Sequence, residues 1–79
     1  MKNLVKALRI KRRMSQSELA YCCGVSRQTI YSIEKEIFSP SLELAYKLSK
    51  VLNFKMEDMY DFSEFDSEIR TLDDLYNGK

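Results

Sequence analysis

The twenty residues SQSELAYCCGVSRQTIYSIE, positions 15 to 34, constrain this chain more than any other stretch. Ser15 is followed three residues later by Glu18. In such a pair the hydroxyl accepts from a backbone N–H while the carboxylate reaches back to the serine's own N–H, and a helix starts there. Leu19, Ala20 and Cys23 then make one apolar stripe, and Gly24 suits the left-handed residue that closes a helix. Ser26 can cap a second helix only three residues after Cys23. In that helix, at about 100° per residue, Ile30 and Ile33 point one way with Thr29 beside them. A helix of about two turns is unstable alone and has to be packed. Two short helices joined by Gly24-Val25-Ser26, with Val25 turned inward, make a helix-turn-helix. The small Ala20 permits their close approach.

The flanks extend this unit. Residues 2–13 place Leu4, Val5 and Leu8 at helical spacing among Lys and Arg, which predicts a helix stopping near Arg13. In FSPSLELAYKLSKVLN, Ser39 is the expected N-cap, with Pro40 at the first helical position, where its missing N–H costs nothing. Leu42, Ala45, Leu48 and Leu52 form the expected buried stripe, and Asn53 a stop. A brief fifth helix follows in KMEDMYDF, contributing Met56, Met59 and Tyr60. With 2 Gly and 1 Pro the chain has too few turn residues for a β-protein, so the expected class is all-α. Seventy-nine residues suffice for one small domain, which needs an efficient helical core or a partner subunit. That domain is assigned to residues 1–62. Residues 63–79 form an acidic extension in which Phe65, Ile69, Leu72 and Tyr76 recur on one helical face. This stripe fits docking on the domain's own core, a subunit interface or a ligand-responsive flap; the composition also fits acidic disorder.

Several functions are disfavoured. There is no His, and Cys22 and Cys23 are adjacent, so neither a disulfide scaffold nor a usual zinc site is expected. Cys23 reads as core filler, while the role of Cys22 stays open between filler and a redox-sensing thiol. No cofactor or metal is expected, and no nucleophile–base pair or glycine-rich phosphate loop points to an enzyme. No apolar run approaches the ~18 residues of a membrane span. The N-terminus lacks the apolar segment of a signal peptide, so a cytoplasmic protein is expected.

Net charge is +1, but it is unevenly divided. Residues 1–55 carry 11 Lys/Arg against 4 acids, a net of +7, and residues 56–79 carry 2 against 8, a net of −6. That polarity fits a body facing a polyanion and a tail kept away from it. On the third helix Gln28 points opposite the isoleucines, flanked by Arg27, Tyr31, Ser32 and Lys35. Arg matches the N7 and O6 edge of guanine, and Gln the N6 and N7 edge of adenine. Arg27 and Gln28 lie in the first turn, the end that enters the major groove in such motifs, with Tyr31 and Ser32 one turn on. These four are the candidate base-reading residues of a double-stranded DNA binder. Helix N-termini attract phosphate, which makes Ser15, Gln16, Ser26, Thr29, Lys35, Ser39 and Ser41 the candidate phosphate-binding set. Lys11, Arg12 and Arg13 could add salt-dependent attraction, although solvation alone accounts for Arg12 and Arg13. One short helix spans too few base pairs for selective binding, so a homodimer is expected.

With Gln16, Glu18-Leu19-Ala20, Gly24-Val25-Ser26, Ile30, Ile33-Glu34 and Pro40 in register, the chain resembles the Cro/cI-type (XRE family) helix-turn-helix regulators over about residues 3–62. It is particularly similar to the short subgroup that includes the bacterial cytolysin repressor. The resemblance implies a five-helix lambda-repressor-like bundle, with a small antiparallel sheet joining residues 1–4 to residues 60–64. It also implies a dimeric repressor reading an inverted repeat, with Gln16 on phosphate and Arg27, Gln28 and Ser32 on bases. Arg9 and Glu34 match a family ion pair tying the first helix to the recognition helix. An alternative is an antitoxin or adaptor acting through the tail. Two loop positions depart from the family pattern. Glu36 stands where Gly or Asn is usual, and Ile37 where a basic residue is common. The 17-residue tail also runs past the subgroup's usual end.

Overall fold

In the computed structural model, which describes residues 2–77, short-range caps set most helix ends. Asn3 Oδ1 accepts the Val5 N–H at 3.0 Å, and α1 runs Val5–Lys11. It therefore starts later than residue 2, because the backbone of residues 2–4 is hydrogen-bonded to residues 59–61. Ser15 and Glu18 form the complete reciprocal cap of α2, Gln16–Cys23. Gly24 closes that helix at φ 70°, in the left-handed region where a Cβ is unfavourable. Ser26 caps α3, Arg27–Glu34, by accepting the Thr29 N–H at 3.2 Å.

The fourth helix differs from its expected start. Ser41, not Ser39, is the N-cap, its hydroxyl accepting the Leu44 N–H at 3.2 Å, and α4 spans Leu42–Leu52. Pro40 therefore precedes the helix. The buried stripe shifts with it to Leu44, Ala45, Leu48 and Leu52, while Leu42 is 76% exposed. Leu44, Leu48 and Leu52 repeat every four residues, so one ridge faces the core continuously. Asn53 ends α4 in the left-handed conformation, and α5 is the single turn Met56–Met59.

These five helices surround one core. Val5, Leu19, Ile30, Ile33, Leu48 and Met59 are all at 0% exposure, with Ala20 and Cys23 sealed beside them. Leu8, Met14, Val25 and Val51 border it. Burial, with Cys22 adding to it and Lys47 opposing, pushes the Cys23 thiol up. Tyr60 is also buried; its hydroxyl has no hydrogen-bond partner among the described residues. Burial, then nearby Cys23, pushes its pKa up to about 12.

Among the described residues the expected sheet contracts to one antiparallel bridge, Asn3 to Tyr60. Leu4 N donates to Met59 O and Asp61 N to Lys2 O, both at 2.9 Å. Pairing stops there because both segments turn away. Val5 enters α1, and the Asp61 carboxylate accepts the Ser63 N–H at 3.0 Å, which starts a helical turn. Met1, the remaining expected strand residue, lies outside the described residues.

The extension forms two short pieces, α6 (Ser63–Asp66) and α7 (Leu72–Tyr76), rather than one helix. Thr71 and Asp74 make a second reciprocal cap, which forces a new start at α7. The stripe is not used on the core: Phe65, Ile69, Leu72 and Tyr76 are all exposed. Rings touch at its root, with Phe62 6.2 Å from Tyr60 and 6.4 Å from Phe65 between centroids. The molecule measures 51 × 20 × 19 Å, and its radius of gyration is 15.6 Å. A compact chain of this length would have a radius of about 12 Å, so the tail projects from the bundle. The architecture is thus all-α: a five-helix body carrying an unpacked helical arm.

Candidate nucleic-acid interface

α3 is fixed from beneath by Ile30 and Ile33, which are fully buried. Its opposite side is thereby turned outward. Gln28 is exposed on the first turn and makes no side-chain hydrogen bond among the described residues. Arg27 is exposed beside it, but its Nη1 donates to Gln16 Oε1 at 2.8 Å. Tyr31 is 37% exposed, with Lys35 Nζ 5.8 Å from its ring centroid. Ser32 is half-buried at the edge of the same face. The four candidate base-reading residues thus share one surface of α3, and Arg27 arrives there already tethered.

A side-chain chain supports that surface. Arg9 Nε donates to Glu34 Oε2 at 2.6 Å and Nη2 to Oε1 at 3.1 Å, a two-pronged pair. The two side chains are 11% and 3% exposed. Arg9 Nη1 donates to Met14 O at 2.8 Å, which ties the pair to the turn after α1. Glu34 Oε1 also accepts from Gln16 Nε2 at 3.1 Å. Gln16 therefore bridges inward to Glu34 and outward to Arg27. Arg9, Glu34, Gln16 and Arg27 run in series from the buried end of α3, across α2, to its exposed first turn. Asn3 adds a brace, its Nδ2 donating to Ile33 O at 3.0 Å. Sequence reading missed the roles of Asn3 and the inner contact of Gln16. Both depend on residues 30 and 18 positions away, which no local pattern links.

The helix N-termini divide differently from their expected grouping. Ser15 and Ser26 are occupied as caps, and Thr29 Oγ1 lies 3.0 Å from Ser26 Oγ. Ser41 caps α4, so Ser39 sits exposed in the preceding loop without a cap to make. The turn after α3 carries Glu36 at φ 63°, a left-handed conformation that costs a non-glycine residue roughly 1–2 kcal/mol. Lys11, Arg12, Arg13 and Lys35 are exposed. Among the described residues no cluster of His, Cys, Asp and Glu could hold a metal ion, and no helix is long and apolar enough to cross a membrane.

Comparison with known proteins agrees with this geometry. The family model described as Helix-turn-helix matches residues 5–59, which spans α1 through α5. An uncharacterized HTH-type transcriptional regulator of Archaeoglobus fulgidus is 47% identical over 64 residues, covering 81% of this chain and 90% of the relative. The cryptic phage CTXphi transcriptional repressor RstR of Vibrio cholerae is 31% identical over 77 residues, covering 90% of this chain and 69% of the relative. Among solved structures, the hypothetical transcription factor NHTF from Neisseria superposes with a TM-score of 0.65 at 19% identity, covering 84% of this chain and 76% of that one. That last likeness concerns the fold. With the matched segment, the caps, the turn and the outward α3 face all in place, the chain belongs to the XRE-type helix-turn-helix family of DNA-binding transcriptional regulators.

Proposed function

We propose that this regulator is a homodimeric repressor that reads an inverted repeat by inserting α3 into the major groove. The observation that carries the reading is the exposed first turn of α3, where Gln28 is unengaged and Arg27 is held by a chain of side chains ending in the buried Arg9–Glu34 pair. A side chain fixed before binding loses less freedom when it meets its base, which favours selectivity. Gln28 takes adenine and Arg27 guanine through two hydrogen bonds each, with Tyr31 and Ser32 contacting the next base edges. Phosphates on either side meet the starts of α2, α3 and α4, through Ser15, Gln16, Ser26, Thr29 and Ser41, and Ser39 in the loop before α4, with Lys35 adding charge. Occupying a promoter in this way would block transcription, and RstR, similar along most of this chain, is itself a repressor.

Two-fold symmetry would set the recognition helices about 34 Å apart, one turn of DNA. The direct experiment is selection of bound oligonucleotides from a random pool. The expected result is an inverted repeat with half-sites one helical turn apart; enrichment of no sequence would refute base reading. On the selected site, Gln28→Ala should weaken binding by about 1–3 kcal/mol and leave binding to random DNA nearly unchanged. An equal loss on both would mean that Gln28 touches only backbone.

A further inference from the structure

Two surfaces of this molecule are apolar, uncovered and opposite in charge. The first is the arm. Phe65, Ile69, Leu72, Leu75 and Tyr76 are between 42% and 79% exposed. The acids Asp66, Glu68, Asp73 and Asp74 are interleaved with them. The second is the outward side of α4. At about 100° per residue, Leu42, Tyr46 and Asn53 share the side opposite the Leu44–Leu48–Leu52 ridge. Leu42 is 76% and Tyr46 55% exposed, and Phe54, just past the helix, is 38% exposed. A surface groove at this end is lined by Tyr46, Phe54 and Met56 together with Lys50 and Lys55, against the single acid Glu57. Lys50 Nζ already lies over the Tyr46 ring, 5.5 Å from its centroid, so cationic and aromatic groups are presented together.

We propose that the arm, residues 62–77, packs into the α4 groove of a second copy of this chain, and that the second copy returns the same contact. The apolar faces of α6 and α7 meet Leu42, Tyr46 and Phe54, while the aspartates of α7 face Lys50 and Lys55. Complementary charge selects this occupant: the arm belongs to the segment of net −6, and the groove presents Lys50 and Lys55 against Glu57 alone. Reciprocity follows because every copy carries both halves, so two contacts close around one two-fold axis with neither half left open. The arm's shape fits the exchange, since it projects from its own bundle in a molecule 51 Å long and 20 Å wide and leaves every residue of its stripe at least 42% exposed. Burying that stripe also answers the need of a small domain for extra apolar contact. The inference deepens the homodimer reading and rests on it.

The test uses full-length chains and sedimentation equilibrium. The unaltered chain should be a dimer whose dissociation constant rises with salt, as charge-assisted contacts do. Leu72→Asp with Leu75→Asp should weaken dimerisation at least 100-fold while the helical circular-dichroism signal of the body is kept. Lys50→Glu with Lys55→Glu should weaken it about 10-fold or more, and so should Asp73→Lys with Asp74→Lys. Combining the two charge reversals in one chain should restore most of the loss, which a misfolded variant could not do. Dimers indifferent to all these changes would overturn the arm exchange and leave the homodimer standing. A chain monomeric at every concentration and on its selected DNA site would overturn both. A monomer whose arm becomes more protease-sensitive on Lys50→Glu with Lys55→Glu would place the arm in its own groove and overturn the exchange.

Discussion

The bundle and the arm carry the same kind of sequence pattern and do opposite things with it. In the bundle, apolar residues three and four apart are sealed: Leu19 with Cys23, Ile30 with Ile33, and Leu44 with Leu48 and Leu52 are all at 7% exposure or below. In the arm, Phe65, Ile69, Leu72 and Tyr76 have the same spacings, and none is below 42%. Periodicity specifies a face; burial needs a second surface of matching shape. Tight turns at Gly24 and Asn53 fold α3 onto α2 and α5 onto α4, and α1 finds its surface on the more distant α3 and α4. The arm leaves from the one-pair bridge at Tyr60 and restarts at Thr71, with no turn that returns it to the core. Over residues 62–77 it also carries five acids against the single base Arg70, and its helices gain little until something covers them.

The sharpest way to break this contrast is at the polar root of the bundle. Arg9→Leu leaves the Glu34 carboxylate, 3% exposed, without its cationic partner. Removing half of such a pair costs about 3–5 kcal/mol. Thermal unfolding should show a melting point lowered by well over 10 °C; a loss under about 1 kcal/mol would mean that Gln16 alone can hold the carboxylate. Next comes Ala20→Leu. Ala20 is 3% exposed where α2 meets α3, and overpacking such a site costs about 1–3 kcal/mol or more. An unchanged melting point would show that the two helices have room to spare.

Alkaline pH probes the same core more gently. The Tyr60 pKa rises from 10.0 in the free side chain to about 12 here, chiefly through burial. An unfolded chain gives up that proton first, so the stabilisation is complete below about pH 10 and declines as pH rises toward 12. Tyr60→Phe should flatten the decline in the melting point across that window. The buried Cys23 thiol, also pushed up, acts in the same direction and should leave a residual slope. The smallest effect belongs to the arm. Ile69→Ala, at a residue 70% exposed, should change stability of the isolated monomer by less than about 0.5 kcal/mol. A larger loss would show the arm packed on its own bundle.

What could be read in advance followed the range of the interactions. Ser15 with Glu18, Gly24, Ser26 and Asn53 act on groups within a few positions, and each sets a helix end in the structure. Gln28's outward direction followed from its angle to Ile30 and Ile33. Ser39 and Ser41 show where this range ends. Both serines stand beside Pro40, and the stripes starting at Leu42 or Leu44 share Ala45, Leu48 and Leu52. Only the docking of α4 against α1, α2 and α5 brings Leu44 into the core and, with it, Ser41 to the cap. The Arg9–Glu34 pair was available solely through likeness to the family, since 25 positions separate the partners. The Gln16 bridge and the Asn3 brace had no comparable signal.

By itself, then, the sequence determined an all-α chain, the turn between two short capped helices, and the polar face carrying Gln28, because each depends on the backbone and side chains of near neighbours. The tertiary structure decided which serine caps α4, how far the terminal segments pair, the linkage of Arg9, Glu34, Gln16 and Arg27, and the exposure of the arm. Those outcomes depend on which surfaces meet across long loops. Helical periodicity marks a face for burial without naming the surface that will cover it.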